Sequence, residues 1–131
     1  MSFAVSGLYV ALTALLFMVL TVYVIKMRRR YKVGIGDDGH KPLATAIRVQ
    51  ANLVENAPFA LLLFVLAEAG GVPAYALHLF GCVWLIARVL HAFGLIKTNG
   101  GIHFGRFWGV ILTWAVLLGL SIANIVMFFT A

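Results

Sequence analysis

The stretch "RVQANLVENAPFALLLFVLAE", residues 48–68, decides the fold because it joins two compositions that rarely share a helix. From Ala57 to Ala67 no side chain is polar. Just before that run stand Arg48, Gln50, Asn52, Glu55 and Asn56. A helix satisfies its own backbone in hydrocarbon, so the apolar half reads as a membrane span. The polar half needs a separate reason for lying in the same span.

The rest of the chain supports lipid as the solvent. Of 131 residues, 63% are hydrophobic and 11% charged. A single domain of this length leaves too much surface in water to hide so many apolar side chains, which excludes an ordinary water-soluble domain. The formal net charge of +6 does not point to nucleic acid. Its basic residues sit mostly at the ends of apolar runs, where topology and anionic headgroups account for them. One cysteine, Cys82, forms no intramolecular disulfide, and no pair of histidines has metal-ligand spacing, so no metal is expected.

Four helices follow from the apolar runs. Phe3 to Ile25 is uncharged and long enough to cross a core of about 30 Å. The basic stretch "KMRRRYK" comes after that run, not before it, so it reads as a retained membrane helix and not a secretory signal. "VGIGDDGHKP", residues 33–42, is a loop, and Pro42 suits the first turn of the next helix. Helices are expected over about 3–25, 43–69, 73–97 and 106–130, separated by Gly70–Gly71 and by "TNGG", residues 98–101. The fold class is therefore an all-α integral membrane four-helix bundle in one domain. Eight Lys and Arg residues flank the first and third connections: Lys26, Arg28, Arg29, Arg30, Lys32, Lys41, Lys97 and Arg106. The second connection and both termini have none, so loops one and three are expected in the cytoplasm and both termini on the opposite side.

Arg48, Asn52 and Glu55 are spaced i, i+4, i+7 and share one stripe of the second helix, with Asn56 flanking it and Gln50 pointing elsewhere. Pro58 removes a helical donor beside Glu55 and predicts a bend. The third helix runs back with Arg88 and His91, and Arg106 opens the fourth. Charged groups inside a membrane face the protein interior and have partners. One account is a buried Arg88–Glu55 ion pair, which explains two charges and leaves the other arginines over. The other is a net-positive cleft that takes an anionic ligand.

"RVQANLVENAP" resembles the second-helix signature of the MAPEG family, the membrane-associated proteins of eicosanoid and glutathione metabolism. Arg48, Gln50, Asn52, Glu55 and Pro58 match it position by position. "GDDGHKPLATAIR" and "ARVLHAFG" are similar to bacterial members, and the likeness covers essentially the whole chain. It implies a homotrimer binding glutathione, as co-substrate, between neighbouring subunits near the cytosolic face. Arg48, Asn52 and Glu55 are its implied contacts, and Gln50 matches a contact of some members. Arg106 is the nearest counterpart of an arginine that activates the thiol. The implied reaction is a transferase or peroxidase step on hydrophobic electrophiles or lipid hydroperoxides in the bilayer. Arg48 and Arg88 would hold carboxylates and Glu55 the ammonium group, with His91 donating to sulfur. Asn56, His91 and Leu95 stand where several mammalian members have tyrosine, so a member that binds glutathione or lipid without turnover is the alternative. A small proton-coupled transporter fits less well, because the first helix has no acidic residue in its span.

Other residues receive ordinary roles. His40 and His103 are expected to be solvated, and Glu68 and His78 to reach headgroups. Cys82 is expected to act as a small hydrophobe. "GRFWG", residues 105–109, has GxxxG spacing. Arg30 is a subsidiary candidate for a ligand carboxylate, and membrane lipids are the remaining expected partners.

Overall fold

The structure is a computed structural model and describes residues 2–131. It is all-helical, with α1 Ala4–Tyr31, α2 Lys41–Ala69, α3 Ala74–Thr98 and α4 Phe104–Thr130. All four helices are long and apolar enough to cross a membrane. This is a multi-pass membrane protein.

The helix ends refine the reading of the sequence. Helix α1 continues six residues past Ile25, to a left-handed cap at Lys32 (φ 57°). The apolar run measured the membrane and not the helix, because Lys, Met and Arg extend a helix as readily as Leu does. Helix α2 begins at Lys41 with Pro42 in its first turn. It passes through Pro58 without interruption. Pro73 caps α3 instead of entering it.

The tightest helix pair is α3 with α4, joined through glycine. Gly105 and Gly109, the "GRFWG" pair, are both buried. A Cβ on Gly105 would stand 2.8 Å from the Leu90 carbonyl oxygen, and one on Gly109 2.7 Å from that of Ala87 and from His91 Cβ. These obstacles are mostly backbone and cannot step aside, so GxxxG spacing here marks a true helix contact. Gly109→Ala is expected to destabilise the bundle by about 1–3 kcal/mol, as overpacking does. Thermal unfolding in detergent measures it, and an unchanged midpoint would contradict this packing.

Helix α1 is fastened to the others by polar links. Trp84, fully buried, donates from Nε1 to Thr13 Oγ1 at 3.0 Å. Glu68 does not reach for headgroups. It accepts the Val5 and Ser6 backbone N–H groups at 3.1 and 2.6 Å and the Ser6 hydroxyl, capping α1. His78 is exposed, yet its Nδ1 lies 2.8 Å from the Tyr9 hydroxyl. Cys82 is exposed, with Sγ 3.6 Å from that same hydroxyl. The loop histidines also have structural work. His40 stacks on Tyr31 at 4.2 Å, and His103 Nδ1 accepts the Gly105 N–H at 2.9 Å as the cap of α4.

Candidate functional site

A polar pocket of about 320 Å³ opens at the end of the bundle that carries loops one and three. Helix α2 supplies Lys41, Ala44, Thr45, Arg48 and Asn52. Helix α3 and the turn after it supply His91, Leu95, Asn99 and Gly100, and α4 supplies Arg106. Three cations line it and no acid does. Arg48 holds the Glu55 carboxylate from both terminal nitrogens, at 3.2 and 3.5 Å, on the flank of α2. Arg106 Nη1 donates to the carbonyls of Gly100 (2.7 Å) and Gly101 (3.3 Å), which fixes its guanidinium against the α3–α4 turn.

Behind the pocket wall lies Arg88, only 3% exposed. It donates from Nη1 to Thr113 Oγ1 at 3.1 Å and from Nη2 to Asn52 Oδ1. Asn56 Nδ2 donates to the Asn52 carbonyl at 2.8 Å and reaches Oδ1 at 3.4 Å. Two donors thus share one amide oxygen, which leaves the Asn52 NH₂ as the group free for a ligand. The pocket therefore presents donors and positive charge, and suits an acceptor-rich anion. His91 Nδ1 lies 3.5 Å from Arg88 Nη2. Guanidinium only donates, so His91 Nδ1 accepts and the ring proton sits on Nε2.

Arg106 also belongs to a second cavity. An apolar groove of about 410 Å³ runs along α4, lined by Ile102, Phe107, Val110, Ile111 and Trp114 with Gly101 and His103. Phe107 and Trp114 are more than half exposed, so the groove opens sideways from the bundle. One arginine therefore joins a cationic pocket to an apolar slot.

The MAPEG family model matches residues 6–126. The chain belongs to the MAPEG family. Glutathione transferases and peroxidases are among the members of that family. Inner membrane protein YecN of Escherichia coli is 36% identical over 121 residues, covering 92% of this chain and 90% of that protein. The Synechocystis protein sll1147, described as uncharacterized, is 30% identical, covering 87% of this chain and 86% of its own. No solved structure matches this chain.

Against the MAPEG signature, the structure sorts the predicted residues by direction. Arg48, Asn52, His91 and Arg106 meet at the pocket. Asn56 and Arg88 stand behind it, holding Asn52. Arg88 does not pair with Glu55, so the structural ion pair does not describe it. Glu55 lies on the α2 flank in its pair with Arg48. Gln50 turns away to α1, where Nε2 donates to Thr21 Oγ1 at 2.7 Å. Arg30 lies over the Tyr31 ring at 5.6 Å and does not line the pocket. Lys41, Thr45 and Asn99 were not singled out by the sequence. Continuing the Arg48 stripe back along α2 by i−3 and i−7 reaches Thr45 and Lys41, so that signal was present. Asn99, in left-handed conformation (φ 48°), ends α3, and only its place in "TNGG" pointed to it.

Proposed function

We propose that this protein is a membrane-embedded, glutathione-dependent transferase or peroxidase acting on hydrophobic electrophiles or lipid hydroperoxides. The observation that carries this reading is Arg106, shared by a pocket lined by cations without an acid and a groove open to lipid. Lys41, Arg48 and the Asn52 amide would hold the carboxylates of the tripeptide. Arg106 would hold the sulfur as thiolate, and the co-substrate would approach along Phe107 and Trp114. With loops one and three in the cytoplasm of a bacterial inner membrane, the pocket faces the soluble thiol pool.

The same reading assembles the chain as a homotrimer. The Arg48–Glu55 pair has side chains 57% and 56% exposed. Glu55 lies about 21 Å along α2, near the middle of the span, at 1.5 Å per residue. Lipid is a poor neighbour for ions there. A neighbouring copy on this flank would remove that cost and bring Glu55 to the edge of a shared site. Native mass spectrometry checks it, and a monomer as the dominant species would count against it.

Calorimetric titration with glutathione tests the binding. The double variant Arg48→Ala with Glu55→Gln removes the charge pair together and leaves neither of its members unpaired. It is expected to weaken binding by about tenfold or more, the value of a lost charged hydrogen bond. Equal affinity in wild type and variant would reject the site. A second reading, binding without turnover, is favoured by His91 and Leu95 standing where family tyrosines would. Glutathione affinity with no activity on aryl halides or lipid hydroperoxides would select it.

A further inference from the structure

The outward face of α1 lines neither the pocket nor the groove. Leu15, Met18, Val19 and Val22 line a shallow surface groove of about 380 Å³ and are each more than half exposed. At about 100° per residue, Lys26 and Arg29 continue the same stripe, and Arg30 lies at its edge. Because α1 stays helical to Tyr31, the stripe runs unbroken from apolar to basic. The apolar run ends at Ile25, so these cations emerge where lipid phosphates lie.

Their sister residue is otherwise engaged. Arg28 Nη1 donates to the carbonyls of Val33 (3.3 Å) and Gly36 (2.8 Å), fastening loop one. Among the described residues, the side chains of Lys26 and Arg29 have no hydrogen bond or ion pair, and that of Arg30 meets only the Tyr31 ring. The two acids of loop one, Asp37 and Asp38, form no ion pair with these cations among the described residues, and Asp37 accepts the Gly39 N–H at 2.8 Å. The complementary anion must come from outside the chain. Topology alone needs an excess of Lys and Arg in the loop, on any face. Here the charges are in register with a groove that could seat an acyl chain.

We propose that α1 from Leu15 to Arg30 binds one anionic glycerophospholipid. Its phosphate sits among Lys26, Arg29 and Arg30, and one acyl chain lies along Val22, Val19, Met18 and Leu15. The site is independent of the glutathione reading. The test is native mass spectrometry of delipidated protein offered equal amounts of phosphatidylglycerol and phosphatidylcholine. The wild type should retain phosphatidylglycerol in preference. Lys26→Gln/Arg29→Gln/Arg30→Gln should lose about fivefold of that preference per cation removed. Arg28, Lys32 and Lys41 remain in that variant to set topology. Met18→Trp, which fills the groove and keeps every charge, should lower retention as well. If the triple variant fails to insert, Arg29→Gln and Met18→Trp give the same readout. Equal retention of the two lipids by wild type, or a preference unchanged in these variants, overturns the proposal. So does efficient cross-linking of Val19→Cys between copies, which would show a second chain on this face.

Discussion

Arg106→Ala is expected to lower kcat for glutathione conjugation to an aryl halide by about a hundredfold or more, the scale of losing one preorganised electrostatic donor. A free thiol titrates at about 8.5 and is mostly protonated at neutral pH. A cation beside the sulfur favours the thiolate, and each unit by which the thiol is lowered is worth about 1.4 kcal/mol. Arg106 is suited to this because two backbone carbonyls, of Gly100 and Gly101, already hold its guanidinium. No reorganisation is needed when the sulfur ionises. On the proposed reading Lys41 and Arg48 still hold the carboxylates in the variant, so KM for glutathione should change much less than kcat. The pH–rate profile supplies the sign. Without the cation the bound thiol titrates higher, so the variant's rate should keep rising at pH values where the wild type has levelled off. Arg106→Lys keeps a charge without the planar fork and should fall between the two. An unchanged kcat would remove Arg106 from the chemistry, and a change in KM alone would make it a binding residue.

Depth along the helices was legible in the sequence, and direction was only partly so. Counting residues from the helix ends placed Arg48, Asn52, Arg88, His91 and Arg106 at one end of the bundle, because helical rise is nearly constant. Periodicity within α2 correctly grouped Arg48 with Asn52 and sent Gln50 elsewhere. It could not say how far around the helix the pocket reaches, so Glu55 on the same stripe lies on a flank. For Arg88 the difficulty was deeper. A polar residue at the right depth can line a cavity or stand behind its wall, and only the packing of α2 against α3 and α4 decides between them. The α1 boundary was missed for a simpler reason: hydropathy reports where lipid ends, and the helix continues beyond it. The GxxxG contact was visible as spacing, but its partner groups, the carbonyls of Ala87 and Leu90, carry no signature of their own.

The behaviour of Arg88 separates support of the site from support of the fold. Arg88→Leu is expected to leave thermal stability within about 1–2 kcal/mol of wild type, or to raise it, while weakening glutathione binding by about tenfold. The stability half follows from what surrounds the side chain. Among the described residues, Arg88 is buried with no carboxylate partner, and its Nε has no acceptor. A charge inside the span costs about 2.5–3.5 kcal/mol on insertion scales. Its hydrogen bonds to Thr113 and Asn52, made by a charged donor, return about 1.5–3 kcal/mol each. Its guanidinium also lies 3.5 Å from His91 Nδ1 and 5.8 Å from the Trp84 ring centre, so the balance is close to zero. Thr113 keeps its own bond to the Gly109 carbonyl at 2.7 Å when Arg88 is gone. The binding half follows from Asn52. With Nη2 removed, only the 3.4 Å contact from Asn56 restrains its amide oxygen, and the NH₂ no longer has a reason to face the pocket. An arginine whose burial is only about balanced, with Nε unpaired and one donor spent on Asn52, fits a role in orienting a ligand contact better than one in cohesion. Unfolding midpoints and calorimetric titrations on the same preparations decide it. A bundle that loses stability while its folded fraction binds glutathione as tightly as wild type would make Arg88 a structural residue and nothing more.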